Sequence, residues 1–262
     1  MASTTTTDGV TIAYDEVGAG APIVFVHGIT DRRDDWRPIV ERLADTHRCV
    51  TLDLRGHGES GDADDYGALA MAADIVAVVD SLALVRPVVV GHSLGAMVAT
   101  AAALGLSVRG VVNVDQPLRM SDFAAALAPL EPMLRGTPDE FADALAMIFG
   151  ALNGDRLDDR TADALAARAR TARQDVVLGV WDLVFTTPPA ALDELIDAMA
   201  PAITVPYLTL LGNDAGEGYD DWLRTRIAHV EIEHWPEHGH YLHLVDPDRF
   251  AERIRRFVAS CD

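Results

Sequence analysis

Residues 91–95, with the sequence Gly-His-Ser-Leu-Gly, constrain this chain more than any other segment. They follow a β-branched run at 88–90 and open a stretch of small residues at helical spacing. Glycines at both ends of such a turn let a strand and a helix approach without Cβ clashes. The pattern predicts a strained strand-to-helix turn that projects the Ser93 hydroxyl from the end of a sheet. The N-terminus of the helix beneath it favours developing negative charge.

Short β-branched runs alternate with alanine-rich helical stretches elsewhere, which is typical of a parallel α/β sheet. Strands are predicted at residues 10–14, 23–27, 48–54, 87–91, 109–114, 206–212 and 229–235. Helices are predicted at residues 36–43, 69–84, 94–104 and 247–259. Between residues 117 and 200 the pattern is helical and broken by prolines. We therefore predict an α/β core at 1–116 and 201–262, and a helical cap at 117–200.

Composition narrows the class of protein. A chain of 262 residues fits one domain with an insertion. Its 41 acidic residues outnumber 21 basic ones, all arginine, and the net charge of −20 repels phosphate backbones and anionic membranes. The threonine-rich start lacks the apolar stretch of a secretory signal, and two cysteines make neither a disulfide framework nor a metal site. We expect a cytoplasmic monomer or homodimer without nucleic-acid or membrane partner, metal or cofactor.

Four motifs, in order along the chain, resemble those of the α/β-hydrolase superfamily. Besides the serine turn, they are His27-Gly28 after a strand, residues 52–60 (Leu-Asp-Leu-Arg-Gly-His-Gly-Glu-Ser), and Gly239-His240 before the closing helix. The resemblance covers nearly the whole chain outside the predicted cap. It implies a mostly parallel eight-stranded sheet flanked by helices, with a helical cap, and a serine hydrolase that needs no cofactor.

The resemblance also assigns the reacting groups. A serine hydroxyl is a poor nucleophile unless an imidazole takes its proton and a carboxylate orients that imidazole. Ser93 is the implied nucleophile, and His240 stands where the family places its base. His238 and His243 are the neighbouring alternatives.

The resemblance also implies which backbone groups bind the developing oxyanion. The oxyanion hole is expected from the backbone N–H groups of Ile29 and Leu94, which would hold the negative charge that develops on the carbonyl oxygen. Four further residues are expected around the substrate: Gly28, His92, Leu118 and Trp181.

The triad acid departs from the common pattern. Most relatives carry it in a G-x-x-D loop, and residues 212–215 here read Gly-Asn-Asp-Ala, so Asp214 comes one position early. The strand at 109–114 ends at Asp115, which leaves the sheet at the same edge as Ser93. That arrangement resembles, more loosely, the zearalenone lactonases of fungi. We predict Asp115 as the acid and keep Asp214 as the alternative.

The implied activity is cleavage of a carboxylic ester or lactone through an acyl-enzyme. An apolar cap sequence with several aromatic residues suits a small hydrophobic substrate. Because fold does not determine chemistry, C–C bond hydrolysis, perhydrolysis and hydroxynitrile cleavage remain alternatives on the same scaffold. A ligand receptor with slow turnover is the alternative outside enzymes.

Overall fold

The computed structural model describes residues 2–261, which are organised around one eight-stranded sheet. Its strands are β1 (Ala2–Thr5), β2 (Thr11–Val17), β3 (Ala21–Val26), β4 (His47–Leu52), β5 (Val88–His92), β6 (Gly110–Val114), β7 (Tyr207–Leu211) and β8 (Val230–His234). They lie in the order β1-β2-β4-β3-β5-β6-β7-β8. Only the pairs β1–β2 and β2–β4 are antiparallel. The predicted mostly parallel sheet is therefore confirmed.

Strand β1 is the element that hydrophobic periodicity missed. Its sequence, Ala-Ser-Thr-Thr, carries no alternation of large apolar side chains, and most of it is exposed. It forms because its backbone pairs with β2, with Ser3 opposite Ala13, at the edge of the sheet. The other seven strands each overlap a predicted one, because their sequences carry the apolar or alternating residues typical of strands. The edge strand β8, Val-Glu-Ile-Glu-His, alternates and has no fully buried residue.

Helices surround the sheet. They are α1 (Arg37–Leu43), α2 (Ala68–Ser81), α3 (Leu94–Ala102), α4 (Met120–Leu127), α5 (Glu131–Leu134), α6 (Pro138–Asn153), α7 (Asp159–Arg170), α8 (Gln174–Thr186), α9 (Pro189–Met199), α10 (Tyr219–Arg224), α11 (Leu242–Val245) and α12 (Pro247–Ser260). Single 3₁₀ turns lie at Arg33–Trp36, Ala128–Leu130 and Ala200–Ala202. The four helices predicted outside 117–200 overlap α1, α2, α3 and α12.

Both faces of the sheet are buried. Side chains alternate across a strand, so Ile23 and Phe25 of β3 join the cluster under α1 and α12. Val24 and Val26 point the other way, into the cluster under α2 and α3. This explains why the central strands read as continuous apolar runs.

The segment 117–200, which we call the cap, is helical from α4 to α9. Its buried side chains, among them Phe141 and Trp181, belong to the same continuous apolar cluster as Val98 of α3. The cap therefore shares one hydrophobic core with the α/β sheet and its helices. Within residues 2–261 no single helix has the length and apolarity to cross a membrane; α8 and Pro189–Ala202 pass that test only together, across a 99° bend.

A buried ion pair anchors the turn after β4. The guanidinium of Arg55 is fully buried and donates to Asp74 of α2, with Nε and Nη2 at 2.9 and 2.7 Å from Oδ1. The backbone N–H of Arg55 donates to the other carboxylate oxygen at 2.9 Å. Burial raises the pKa of Asp74 even though Arg55 opposes that shift. The pair joins the 52–60 turn to α2.

Replacing Asp74 by alanine should cost the protein about 3 kcal/mol, because a buried guanidinium then loses its counterion. Asp8 contacts the far side of the same group and keeps the loss at the lower end of the usual range. Urea unfolding followed by circular dichroism measures the change. The matched control is Asp80→Ala, which removes an exposed carboxylate from the same helix and should cost less than about 0.5 kcal/mol. Equal effects of the two changes would contradict the anchoring role.

Candidate active site

Ser93 occupies a strained turn between β5 and α3. Its φ is +50° and its ψ is −121°, a conformation that side-chain-bearing residues rarely adopt. A Cβ at Gly91 would lie 2.0 Å from the carbonyl oxygen of Gly95, and a Cβ at Gly95 would lie 2.3 Å from that of Val26. Neither position has room for a side chain. The sequence pattern therefore reflects two close backbone approaches that keep this turn sharp.

Ser93 and His240 line one cavity of about 440 Å³, together with Ile29 and Leu94. The wall is mostly apolar and is built from α3 and from the cap helices α4, α6, α8 and α9. Representative apolar and aromatic residues of this wall are Met97, Phe123, Ile148, Phe149, Trp181 and Ile196. The structure thus brings together the predicted nucleophile, base, oxyanion residues and Trp181.

The imidazole of His240 contacts a buried carboxylate. Its Nδ1 lies 2.7 Å from Oδ2 of Asp115, and both side chains are almost fully buried. Burial opposes ionisation of Asp115, but hydrogen bonds from His240 and Asn213 hold its pKa below the ordinary value. An ionised carboxylate accepts a hydrogen bond from the Nδ1–H group of His240, which leaves Nε2 unprotonated and able to take a proton.

The loop after β7 supplies hydrogen-bond donors to this carboxylate. The backbone N–H groups of Gly212 and Asn213 donate to Oδ1 of Asp115 at 2.7 and 3.0 Å. The side-chain amide of Asn213 donates to Oδ2 at 2.9 Å. Asp214, the alternative acid, is exposed and accepts from the N–H of Gly216 at 2.9 Å. Of the two candidates, the structure places only Asp115 against His240.

Asn213 is a site residue that the sequence analysis missed. The signal was present, because Asn213 immediately precedes Asp214 in the loop already under consideration. The first two N–H groups of this loop donate to Asp115, and the carboxylate of Asp214 is exposed.

The two alternative histidines lie away from the cavity. His243 stacks on Trp36 with ring centroids 4.5 Å apart. His238 Nε2 lies 3.7 Å from a carboxylate oxygen of Asp246. Neither residue lines the cavity wall.

A second buried cluster lies behind His240. Nε2 of His92 lies 3.0 Å from the backbone carbonyl oxygen of His240, and Nδ1 lies 3.2 Å from Oδ2 of Asp31. The Tyr241 hydroxyl donates to Oδ1 of Asp31 at 3.0 Å. Although burial opposes ionisation, His92 and Tyr241 help to hold the pKa of Asp31 well below its usual range. This cluster contacts the backbone of His240, whereas Asp115 contacts its imidazole.

Three of the residues predicted around the substrate do not line the cavity: Gly28, His92 and Leu118. The ring of His92 turns inward to the carbonyl oxygen of His240. A Cβ at Gly28 would lie 2.6 Å from a carboxylate oxygen of Asp31, so this glycine faces the same buried cluster. Leu118 is fully buried. Of the three, His92 contacts the backbone of His240, and none is placed to touch a substrate in the cavity.

His27 holds the loop that carries Ile29. Its Nε2 accepts from the backbone N–H of Leu54 at 3.0 Å, and its Nδ1 lies 2.7 Å from the carbonyl oxygen of Gly28. The ring is therefore neutral, with its proton on Nδ1. Burial, aided by the neighbouring His57, lowers the pKa of His27 to about 4. The loop is thus tied to the turn after β4.

Neutral His27 should make the protein less stable in mild acid. Between pH 6.5 and about 4 the unfolded chain binds a proton at this residue that the folded protein does not. The His27 contribution is complete above pH 6.5 and is lost as the pH falls. The variant His27→Gln should be less stable at pH 7 yet lose less stability between pH 7 and pH 5 in urea unfolding. His229→Gln, at an exposed position, should follow the wild-type curve; identical pH dependence in all three proteins would refute the role of His27.

Comparison with known proteins places this geometry in a family. Residues 23–253 match the Alpha/beta hydrolase family. The chain is 30% identical to 2-(acetamidomethylene)succinate hydrolase of Mesorhizobium japonicum over 95% of this chain and 92% of that protein.

Solved structures share the whole fold. Est816, described as an N-acyl homoserine lactone degrading enzyme, is 25% identical with a TM-score of 0.75, over 98% of this chain and 100% of that one. A thermophilic esterase from Thermogutta terrifontis is 23% identical with a TM-score of 0.81, over 99% and 98% of the two chains. The chain therefore belongs to the alpha/beta hydrolase family, and its function is that of a hydrolase.

Proposed function

We propose that the protein hydrolyses carboxylic esters, including lactones, of hydrophobic substrates through an acyl-enzyme on Ser93. The observation that carries the proposal is the buried 2.7 Å contact between His240 and Asp115 beside a cavity that Ser93 also lines. A carboxylate in that position keeps the imidazole in the tautomer and orientation that a general base requires. The apolar wall favours a hydrophobic substrate.

Acylation begins with attack of the Ser93 hydroxyl oxygen on the substrate carbonyl carbon. Nε2 of His240 takes the hydroxyl proton, and the backbone N–H groups of Ile29 and Leu94 donate to the oxyanion. Leu94 is the first residue of α3, so its N–H has no acceptor within the helix. It lies at the N-terminus of the helix, which is the positive end of the helix dipole. The tetrahedral intermediate then collapses, and His240 passes the proton to the departing alkoxide.

Deacylation repeats these steps with water as the nucleophile. His240 takes a proton from water as the oxygen attacks the acyl carbon, and the acid leaves as the proton returns to Ser93. In a lactone the ring opens during acylation, so the alcohol stays attached to the acyl group, and water then releases the hydroxy acid from Ser93. The similarity to a lactone-degrading structure favours lactones as a second substrate class beside open-chain esters.

The variant Ser93→Ala should lose activity by about 10⁴-fold or more in kcat/KM for 4-nitrophenyl butanoate, because no other group forms the acyl-enzyme. Alanine occupies the strained turn no less readily than serine does, so circular dichroism and the unfolding midpoint should match the wild type. A fluorophosphonate should label the wild type and not the variant. Ester turnover by pure Ser93→Ala protein would refute the mechanism.

A panel of substrates that adds a carbon–carbon bond, a peroxide and a hydroxynitrile to the ester distinguishes the alternatives. A wild-type protein that binds esters tightly but hardly turns them over would indicate a receptor. Turnover restricted to a carbon–carbon bond, a peroxide-dependent reaction or a hydroxynitrile would assign the corresponding chemistry to the same groups. Each of these outcomes contradicts the proposed ester hydrolysis.

The acid assignment predicts a difference between two carboxylates. Asp115→Asn should lower kcat by roughly 10³- to 10⁴-fold, because a neutral amide no longer stabilises the imidazolium. Its N–H₂ group would also face the N–H donors of His240 or of the loop after β7. Asp214→Asn should change kcat by less than about threefold, because that side chain is exposed and bonds only within its own loop. Steady-state kinetics on one ester measures both variants. The reverse order of effects would assign the acid to Asp214.

A further inference from the structure

The catalytic cavity lacks positive charge. None of the arginines among residues 2–261 lines it, although the chain has 21 basic residues. The acidic residues in its wall are Asp65 and Asp182. Gln116 and Thr186 are the neutral polar residues that join Ser93 there.

This charge distribution opposes anionic substrates. A carboxylate that leaves water for an apolar cavity loses its hydration and, without a cationic partner, regains little of it. Asp65 and Asp182 are both exposed, so they lie where the cavity meets solvent and add repulsion to the entry of an anion. Exposed charges repel weakly because water and salt screen them. The apolar wall therefore makes the larger contribution.

The mouth of the cavity has an apolar rim. Three leucines line the cavity and are also exposed: Leu69 at 69%, Leu183 at 54% and Leu195 at 43%. Side chains that belong both to the wall and to the surface mark the opening. The rim extends the apolar wall out to solvent and provides contacts for a chain that reaches beyond the cavity.

We propose that the enzyme selects uncharged esters with an apolar chain long enough to reach this leucine rim, and that it rejects esters whose chain ends in a carboxylate within the cavity. The proposal rests on the proposed ester hydrolysis and adds its substrate class. Asp65, Asp182 and the three rim leucines are its specificity-determining residues. Each additional methylene group buried along the wall should raise kcat/KM by about fourfold until the chain reaches the rim.

A matched pair of substrates tests the charge selection. The mono-4-nitrophenyl ester of adipic acid carries a free carboxylate, and the methyl 4-nitrophenyl diester of adipic acid is its uncharged counterpart. At pH 7.5 we expect kcat/KM to favour the uncharged ester by about 100-fold or more. Equal turnover of the two would overturn this inference while leaving ester hydrolysis in place. Failure to turn over either one, or any other ester, would refute the proposed function itself.

Variants locate the determinants. Asp65→Asn combined with Asp182→Asn should raise the ratio of kcat/KM for the charged ester to kcat/KM for the uncharged ester by about threefold at low salt, because two repelling carboxylates are removed. The control Asp163→Asn removes an exposed carboxylate outside the cavity wall and should leave this ratio unchanged. No gain in the double variant, or the same gain in the control, would overturn the role of the two acids.

Chain length tests the rim. Leu183→Ser should lower kcat/KM for 4-nitrophenyl decanoate by several fold relative to the butanoate, because only the longer chain reaches the mouth. Val85→Ser removes an apolar side chain that is exposed to 78% but lies outside the cavity wall, and should leave the ratio unchanged. An equal loss for both esters in Leu183→Ser, or no loss, would overturn the role of the rim.

Discussion

The carboxylate of Asp115 joins the parts of the candidate active site. It lies at the end of β6, accepts backbone and side-chain donors from the loop after β7, and contacts His240 in the loop after β8. Parallel strands bring these three chain segments to one edge of the sheet, beside the turn after β5 that carries Ser93. Four hydrogen bonds on one carboxylate therefore fix the relative positions of loops that are distant in sequence. Its φ of +52° shows that the backbone accepts strain to place it there.

The buried charged and polar groups of this protein lie mainly outside the cavity wall. Buried ion pairs such as Arg55–Asp74 hold turns to helices, and the histidine cluster around His92 supports the backbone of His240. The cavity wall itself is apolar. A dry wall strengthens the hydrogen bonds that orient His240, because little water competes for them. The strongly acidic composition thus coexists with a cavity whose chemistry depends on very few polar atoms.

Much of the fold could be predicted from sequence because its signals are local. Apolar runs mark the buried strands, and the glycines around Ser93 mark two close backbone approaches. Strand β1 could not be predicted, because it forms by backbone pairing and has no apolar pattern of its own. The pocket was predicted only in part: Trp181 lines the cavity, whereas His92, next to the serine in sequence, points into the core. His92 is the last residue of β5, and its ring lies against the backbone carbonyl oxygen of His240 instead of the cavity.

The sequence by itself determined the strand–turn–helix around Ser93 and the alternation that builds a parallel sheet, since both arise from contacts close along the chain. It left Asp115 and Asp214 open as partners of His240. Only the tertiary structure decided which carboxylate lies 2.7 Å from that imidazole. Asp115 and His240 are 125 positions apart in the sequence, and the order of the strands and the direction of the loops bring them together. The tertiary structure also decided that no arginine lines the described cavity, because charge placement depends on how the cap helices pack over the sheet.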